Sequence, residues 1–307
     1  MERLLLAIVG PTAVGKSALA LRLARRFEGE VVSADSRQVY RYMDLGTAKP
    51  SPEERSSVPH HLIDIIDPDD DYSLSLFLRH ATEAIEDVHG RARLPILTGG
   101  TGQYIWGLLE GWQVPECPPD AALRESLQER ARLHGPAALH QELARLDPEA
   151  ACRIDARNLR RVIRALEVRH SPRDHRGDKP LKIAPPYEAK LVGLTLNRAA
   201  LYQRIDSRVH KLIESGWTDE VRTLLERGYG PELPSMSSLG YGELIQHLNN
   251  DVSLDAAVER IKTRTHKLAR HQHAWFRLTD PRIHWFDVSN GLGPVEAEVA
   301  GWLDLGG

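Results

Sequence analysis

Gly10-Pro11-Thr12-Ala13-Val14-Gly15-Lys16-Ser17 is a complete G-x-x-x-x-G-K-[ST] phosphate-binding loop, and it follows directly on the apolar run Leu4-Leu5-Leu6-Ala7-Ile8-Val9. A strand that ends in such a loop and continues into the helical run Ala18-Leu19-Ala20-Leu21-Arg22-Leu23-Ala24 aims several backbone N–H groups and a helix N-terminus at one anion. Lys16 adds a mobile positive charge, and the Ser17 hydroxyl can ligate a magnesium ion that bridges phosphate oxygens. A chance glycine-rich turn would not combine glycines, lysine, hydroxyl and strand–loop–helix context. The motif therefore predicts a site for a di- or triphosphate, and it leaves open whether the phosphate belongs to ATP or to another compound.

The rest of the pattern is α/β. Strands are expected near Leu4 to Gly10, Glu30 to Ala34, Leu94 to Thr98, Leu191 to Leu196 and His284 to Val288, and long helices over Arg198 to Glu226 and Asp255 to Phe276. Strands alternating with helices predict a parallel sheet covered on both faces. The interval from Pro115 to about Pro186 breaks that alternation. Pro115, Pro118 and Pro119 open it, helices near Ala121 to His134, Ala137 to Leu146 and Arg157 to Val168 fill it, and the charged, proline-containing stretch Ser171 to Pro186 closes it. The expected architecture is a P-loop NTPase-like parallel sheet flanked by helices, with residues 1–114 and 187–307 as core and residues 115–186 as a helical insertion domain.

Two further segments lie where parallel sheets place ligands, at the C-terminal ends of strands. Glu30 to Tyr40 delivers Asp35, Gln38 and Tyr40 at the end of the second strand; Asp35 and Gln38 together can grip an amino group and a ring nitrogen, although an Asp so placed can instead touch metal-bound water. Leu94 to Tyr104 ends in Thr98-Gly99-Gly100-Thr101-Gly102, where glycines permit close backbone approach and Thr101 offers a hydroxyl. Asp67 to Asp71 reads as an acidic solvated turn.

The 307 residues carry a net charge of −3, so total charge alone does not suggest a nucleic-acid partner. The distribution is uneven. Arg153, Arg157, Arg160, Arg161, Arg164, Arg169, Arg173, Arg176, Lys179 and Lys182 face only Asp155, Glu167, Asp174 and Asp178 in the same stretch, and Arg260, Lys262, Arg264, Lys267 and Arg270 occur with no acid between them. A helix over Asn158 to Arg169 with Leu159, Val162, Ile163 and Leu166 inward would present arginines outward. Each run taken alone is equally a solvated helix face. Together, beside a phosphate-loop site, they favour RNA. Cys117 and Cys152 are far apart and lack a C-x-x-C partner, which argues against a disulfide framework or zinc site. Neither a long apolar span nor a signal-like N-terminus is seen, so a soluble cytoplasmic protein without a membrane partner is expected.

The set GPTAVGKS, Ala34 to Pro50 (ADSRQVYRYMDLGTAKP), Val58 to Pro68 (VPHHLIDIIDP) and Thr98 to Ile105 (TGGTGQYI) resembles the bacterial tRNA dimethylallyltransferases, also called tRNA isopentenyltransferases. The likeness continues through Asn158 to Val168, Leu201 to Val209 and Leu239 to Glu243, in the family's order and over nearly the whole chain. The family's T-R-x-x-A-K-R-Q run stands here as Thr265-His266-Lys267-Leu268-Ala269-Arg270-His271-Gln272, with histidines at two basic positions, which would make tRNA affinity pH-sensitive. Asn197 stands where the family often has an acidic or polar residue before an arginine. The chain stops at Gly307 without the Cys/His finger of eukaryotic relatives, as expected of the bacterial form.

The resemblance implies transfer of a dimethylallyl group from dimethylallyl diphosphate to N6 of the adenine immediately 3′ of the anticodon, in tRNAs reading codons that begin with U, with release of diphosphate. It implies that Gly10, Pro11, Thr12, Ala13, Val14, Gly15, Lys16 and Ser17 hold the diphosphate, that Ser17 ligates Mg2+, and that Arg198 is the diphosphate-binding arginine. Asp35 is the implied base for the N6 proton, Gln38 reads the adenine edge, and Thr101 supports the flipped nucleotide or the Asp35 region. tRNA is expected to meet Asp35, Ser36, Arg37, Gln38 and Thr101 around the base, Leu159, Arg160, Arg161, Val162 and Ile163 in the insertion, and Gly240, Tyr241, Lys267 and Arg270. Tyr40, Trp106 and Tyr241 are candidate stackers or core aromatics. The two basic runs are expected to clamp the anticodon stem-loop, and the working state is expected to be a monomer. Two rivals stay open: an ATP-dependent small-molecule kinase, which should carry an arginine-bearing lid, and a noncatalytic RNA-binding module, which would leave Asp35 and the phosphate loop without work.

Overall fold

The structure, a computed structural model, describes residues 3–114, 120–171 and 182–305. Pro115, Cys117, Pro118, Pro119, Arg173, Asp174, Arg176, Asp178 and Lys179 lie outside the described residues. The described chain forms two compact units, residues 1–111 with 184–307 and residues 112–183.

The larger unit begins with β1 (Leu4–Val9), α1 (Lys16–Arg26), β2 (Gly29–Ser33), α2 (Pro52–Ser57), β3 (His60–His61), α3 (Leu74–Gly90), β4 (Leu94–Thr98) and α4 (Gly102–Leu109). The smaller unit holds α5 (Ala121–His134), α6 (Pro136–Leu146), α7 (Pro148–Arg153) and α8 (Leu159–His170). The chain then returns to the larger unit with β5 (Glu188–Thr195), α9 (Arg198–Glu214), α10 (Trp217–Glu226), α11 (Tyr241–Leu248), α12 (Leu254–Trp275), β6 (Ile283–Asp287) and α13 (Gly293–Leu305).

All strand pairs are parallel, in the order β3-β2-β4-β1-β5-β6. β1 and β4 are apolar over most of their length because helices cover both faces of a doubly wound sheet. The register sets Ile8 beside Thr98 on one side and Val192 on the other, so the ends of β1, β4 and β5 open at one level. Gly10 marks the place where β1 turns into the phosphate loop. Its φ is +138°, and a Cβ there would stand 2.4 Å from the Leu194 carbonyl oxygen, so only glycine lets the loop leave the sheet at this point.

Among the described residues of the larger unit, two apolar clusters position the site. One joins β1, β4 and β5 to α1, through Leu6, Ile8, Leu19, Leu23, Ile96 and Val192. The other seats the Val39–Met43 segment on α9 to α12, through Val39, Met43, Trp217, Tyr241, Leu244 and Ile261. The smaller unit has a core of its own, built from Leu127, Leu139, Leu143, Val162 and Leu166.

The structure differs from the pattern-based expectation at three places. The expected helix from Arg198 to Glu226 is two, because Gly216 at φ +97° ends the register in which α9 buries Leu201, Ile205 and Val209, and α10 restarts it with Trp217, Val221 and Leu224. α7 is additional to the expected helices; Asp147 caps it by accepting the Ala150 N–H at 2.9 Å, and Pro148 occupies its first turn. β3 is too short for any periodicity, and it exists because His60 and His61 pair with Val31 and Val32 of β2.

Candidate active site

The phosphate loop is held from outside as well as from within. Thr12 donates its backbone N–H to Gln272 Oε1 at 2.7 Å, and Gln272 Nε2 donates to the Gly100 carbonyl at 3.0 Å, so one buried amide on α12 ties the loop to the turn after β4. Arg204 Nη1 donates to the Val14 carbonyl at 3.4 Å. Ala13 sits at φ +63°, a conformation that turns successive N–H groups into one concavity and suits an anion. Lys16 Nζ folds back to donate to the Pro11 carbonyl at 2.8 Å. Ser17 and Gly15 face solvent.

Burial pulls the Lys16 ammonium down to about 8; the Asp35 carboxylate opposes that shift and Arg208 adds to it. Burial likewise depresses the Arg208 guanidinium, and Asp35 again opposes. Lys16, Asp35 and Arg208 thus share one electrostatic field, which brings the carboxylate at the end of β2 into the neighbourhood of the phosphate loop. Asp35 Oδ1 accepts the Arg37 N–H at 2.8 Å, a local turn that fixes the carboxylate. Thr101 supports the same loop from β4: its Oγ1 accepts the Ser36 N–H at 3.1 Å, and its own N–H donates to the Ala34 carbonyl at 3.3 Å. Of the two roles implied for Thr101, the structure displays this supporting one. Ser36 and Arg37 are partly buried, and Arg37 Nη1 donates to the Pro234 carbonyl at 2.9 Å.

Gln38 is engaged differently from the expected base-reading role. Its Oε1 accepts from Ser33 Oγ at 2.8 Å, and its Nε2 donates to the Thr47 and Ala48 carbonyls at 3.3 and 3.1 Å. Both ends of the amide are spent on positioning the Gly46-Thr47-Ala48-Lys49 loop. That loop is anchored further by Lys49, whose Nζ donates to the Tyr40 carbonyl at 2.6 Å and lies 2.5 Å from Asp64 Oδ1, and by Glu220 of α10, which accepts the N–H groups of Asp44, Leu45 and Gly46. Tyr42, Ala48, Leu62 and Asp64 all take left-handed φ along this stretch, strain that the anchoring contacts hold in place.

Gly240 and Tyr241 do not face solvent as RNA contacts would. Tyr241 is fully buried and its hydroxyl donates to Glu220 Oε1 at 2.7 Å; a Cβ on Gly240 would stand 2.1 Å from the Trp217 ring. Tyr40 and Trp106 are buried as well, so all three candidate stackers are core aromatics. Val162 and Ile163 are buried in the helical unit, leaving Arg160 and Arg161 as the exposed residues of that segment, while Leu159 is partly buried.

The arginine in the Lys16–Asp35 field is Arg208 rather than Arg198. Arg198 is exposed in the first turn of α9, after Asn197 has capped the helix through the Ala200 N–H at 2.9 Å, and its guanidinium lies 5.2 Å from the Tyr202 ring. Ten residues further on, Arg208 belongs to the face of α9 that carries Arg204 and Lys211. Sequence reading misses Arg208, Arg204 and Gln272. A signal is present in the spacing of Gln203-Arg204-Ile205-Asp206-Ser207-Arg208, which puts both arginines on one helix face.

The basic runs are partly neutralised, by acids two or three residues away and by partners distant in sequence. Arg157 pairs with Asp155, Arg164 with Glu167, Arg169 with Asp147 and Arg264 with Glu243. Lys262 pairs with Glu259, and Arg260 donates to Gln246. Lys267, Arg270 and His271 are exposed, Arg270 donating to Tyr202 Oη at 3.1 Å. His266 is partly buried, its ring stacked on Tyr202 at 3.9 Å and its Nε2 2.9 Å from Asp206 Oδ1, without hydrogen-bond alignment.

The donor set offers no cage for a metal: among the described residues no group of three or more His, Cys, Asp or Glu side chains could hold one. Ser17 fits magnesium as a single oxygen ligand to a cation carried mainly by phosphate and water. ATP-hydrolysing relatives of this loop pair that hydroxyl with an aspartate on a neighbouring strand. Here β4, the strand beside β1, ends in Thr98, whose buried hydroxyl has no hydrogen-bond partner.

Fold and site together define a phosphate-loop α/β enzyme whose anion site adjoins a carboxylate. Comparison with known proteins gives the family. Residues 38–279 match the IPP transferase model and residues 3–64 the isopentenyl transferase model, so the chain belongs to the IPP transferase family, the tRNA dimethylallyltransferases. It is 53% identical over 305 residues to the tRNA dimethylallyltransferase of Roseiflexus sp. strain RS-1, covering 98% of this chain and 99% of that one. The crystal structure of the full-length tRNA isopentenylpyrophosphate transferase of Bacillus halodurans superposes with a TM-score of 0.71 at 39% identity, covering 99% and 97% of the two chains. A eukaryotic dimethylallyltransferase captured acting on tRNA superposes with a TM-score of 0.80 at 27% identity, covering 97% of this chain and 77% of that one.

Proposed function

We propose that this enzyme moves a dimethylallyl group from dimethylallyl diphosphate to N6 of the adenine immediately 3′ of the anticodon, in tRNAs reading codons that begin with U, and releases diphosphate. The observation that carries the reading is the field shared by Lys16, Asp35 and Arg208, which sets leaving-group cations beside the carboxylate assigned to take the N6 proton. As the allylic C–O bond breaks, negative charge grows on the diphosphate. The loop N–H groups, Lys16 and Arg208 stabilise that charge more strongly in the transition state than in the ground state. N6 bonds to the allylic carbon, and Asp35 takes the proton that N6 sheds, so the adenine ends neutral. Thr101 keeps the Asp35 loop in register, and Gln38 fixes the loop beyond it. Ser17 would be the protein ligand to Mg2+, which when bound would add charge neutralisation at the leaving group.

The exposed Arg160, Arg161, Lys267 and Arg270 serve as backbone contacts for the anticodon stem-loop. The working state in this reading is a cytoplasmic monomer, the compartment following from the tRNA substrate. Among the described residues no helix is long and apolar enough to cross a membrane. The kinase alternative is disfavoured by the family match over residues 38–279. The deciding assay mixes the protein with unmodified tRNA and dimethylallyl diphosphate in the absence of ATP. Prenylated tRNA and free diphosphate are expected, and a strict requirement for ATP would refute the reading.

A further inference from the structure

One face of α9 carries Arg204, Arg208 and Lys211 at spacings of four and three residues, so the three cations stand in a row. With Ala200, Gln203 and Ser207 they line an open cavity of about 490 Å³. Elsewhere in the molecule cations commonly sit on carboxylates, as Arg41 does on Asp67, Arg55 on Asp64, Arg91 on Glu30 and Arg124 on Glu167. None of the three α9 cations has an ion-pair partner among the described residues; Arg204 meets only the Val14 carbonyl, and Asp35 acts on Arg208 at longer range. Like charges lined up along one helix face repel each other, and an anion between them removes that cost.

The size of the row bears on which anion this is. From Arg204 to Lys211 the helix rises about 10 Å, more than a compact diphosphate spans once the phosphate loop encloses it. Arg204 touches the loop, Arg208 shares the field of Asp35, and Lys211 lies a turn beyond, exposed to solvent. A substrate base presented to Asp35 brings its own sugar–phosphate strand with it, and such strands are held by Arg and Lys together with neutral donors such as Gln203 and Ser207.

We propose that Arg204 and Lys211, flanking Arg208, form a second phosphate subsite on α9 that takes the RNA backbone beside the reacting base, separate from the diphosphate in the loop. The proposal rests on RNA being the substrate. A Lys or Arg that neutralises a phosphate releases condensed counterions, so each such contact adds a fixed increment to the salt dependence of binding.

The test uses the full chain and titrates unmodified tRNA at several KCl concentrations for wild type, Lys211→Ala, Lys211→Glu and Lys211→Arg, with inorganic diphosphate titrated in parallel. Lys211 is exposed and its side chain bonds nothing among the described residues, so these variants are expected to melt with wild type. Lys211→Ala should lower the slope of log affinity against log salt by about 0.7–0.9 and weaken tRNA several-fold. Lys211→Glu should weaken it further, Lys211→Arg should restore it, and diphosphate affinity should stay within about twofold throughout. An unchanged tRNA slope and affinity in Lys211→Ala and Lys211→Glu would overturn the subsite, as would a weakening confined to diphosphate binding. If wild type itself bound no tRNA, the functional reading would fail, a result distinct from either.

Discussion

Gln272 accepts the backbone N–H of Thr12 at 2.7 Å while its other amide atom donates to the turn after β4, so a helix near the end of the chain holds the shape of a loop near its start. The side chain is buried, and truncation would leave the Gly100 carbonyl without this donor and free the loop N–H to point elsewhere. Gln272→Ala should cost about 1–3 kcal/mol of stability, the usual range for a buried polar group left unsatisfied. It should also weaken diphosphate binding, because Thr12 then lacks its fixed partner. Gln272→Glu can still accept from Thr12 but cannot donate to Gly100. Denaturation midpoints and diphosphate titrations of the two variants test this, and wild-type values in Gln272→Ala would show that the tether has no mechanical role.

Asp35 acts on two cations as well as on the proton it is proposed to accept. Asp35→Ala should lower kcat by about 10²-fold or more, the range for losing a positioned base. Asp35→Asn should do the same, and in addition should let the Lys16 ammonium fall further below 8, because the carboxylate that opposes its desolvation is gone. Diphosphate affinity in Asp35→Asn should therefore be near normal at about pH 6.5 and lower than that of wild type at about pH 8, where a larger share of the ammonium has lost its proton. Single-turnover prenylation with binding at the two pH values checks both parts; a wild-type turnover rate in either variant removes Asp35 from the chemistry.

Lys16 makes a pH signature of its own. Its folded-state pKa of about 8 lies below the ordinary lysine value of about 10.4, so between those values the unfolded chain binds a proton that the folded chain does not. Stability should consequently rise as pH increases through that window, relative to Lys16→Met, which lacks the group. A bound diphosphate favours the ammonium, so affinity should fall as pH rises above about 8, approaching tenfold per unit, and should be flatter and weaker in Lys16→Met. Urea midpoints and diphosphate calorimetry of the pair across this range measure the two effects. A parallel pH response in both proteins would contradict the assignment.

The two candidate arginines of α9 are separable. Arg208→Ala should impair diphosphate binding or departure by an amount typical of losing a transition-state cation, about 10²–10³-fold in rate. Arg198→Ala removes an exposed cation seated on Tyr202 and should cost less. Rates measured with saturating tRNA and varied dimethylallyl diphosphate distinguish them; the reverse ranking would return the diphosphate role to Arg198.

The parts of this site that read directly from the sequence are those encoded locally. The phosphate loop needs its residues adjacent in the chain, and Asp35 and Thr101 stand at strand ends that apolar runs announce, so periodicity locates them. Gln272 and Arg208 are joined to the loop only by the packing of α12 and α9, which no window of neighbouring residues contains. The reverse error has the same origin. Tyr241 and Gln38 carry the right chemistry in the right motifs, yet Glu220, Ser33 and the Thr47 and Ala48 carbonyls, placed by tertiary structure, satisfy their polar atoms first. The break at Ser215-Gly216 is written in the sequence, and the helical period on either side of it masks the signal.

The basic runs bear on RNA chiefly through exposed cations that no carboxylate holds among the described residues. Arg164, Arg169 and Arg264 sit on the more buried carboxylates Glu167, Asp147 and Glu243, so their removal should disturb folding or local charge more than the grip on a phosphate. Arg160 and Arg161 in the helical unit and Lys267 and Arg270 in the core are exposed. Replacing either pair by alanine should weaken tRNA binding and lower the salt slope by about 0.7–0.9 for each phosphate that is no longer neutralised, while diphosphate binding survives, because these side chains meet backbone and not the reacting base. Arg264→Ala provides the internal contrast, with removal of its ion pair to Glu243 and little change in slope. If the two double variants kept the wild-type slope at two salt concentrations, both faces would be ordinary solvated surface, and the grip on tRNA would have to come from other cations, the α9 row among them.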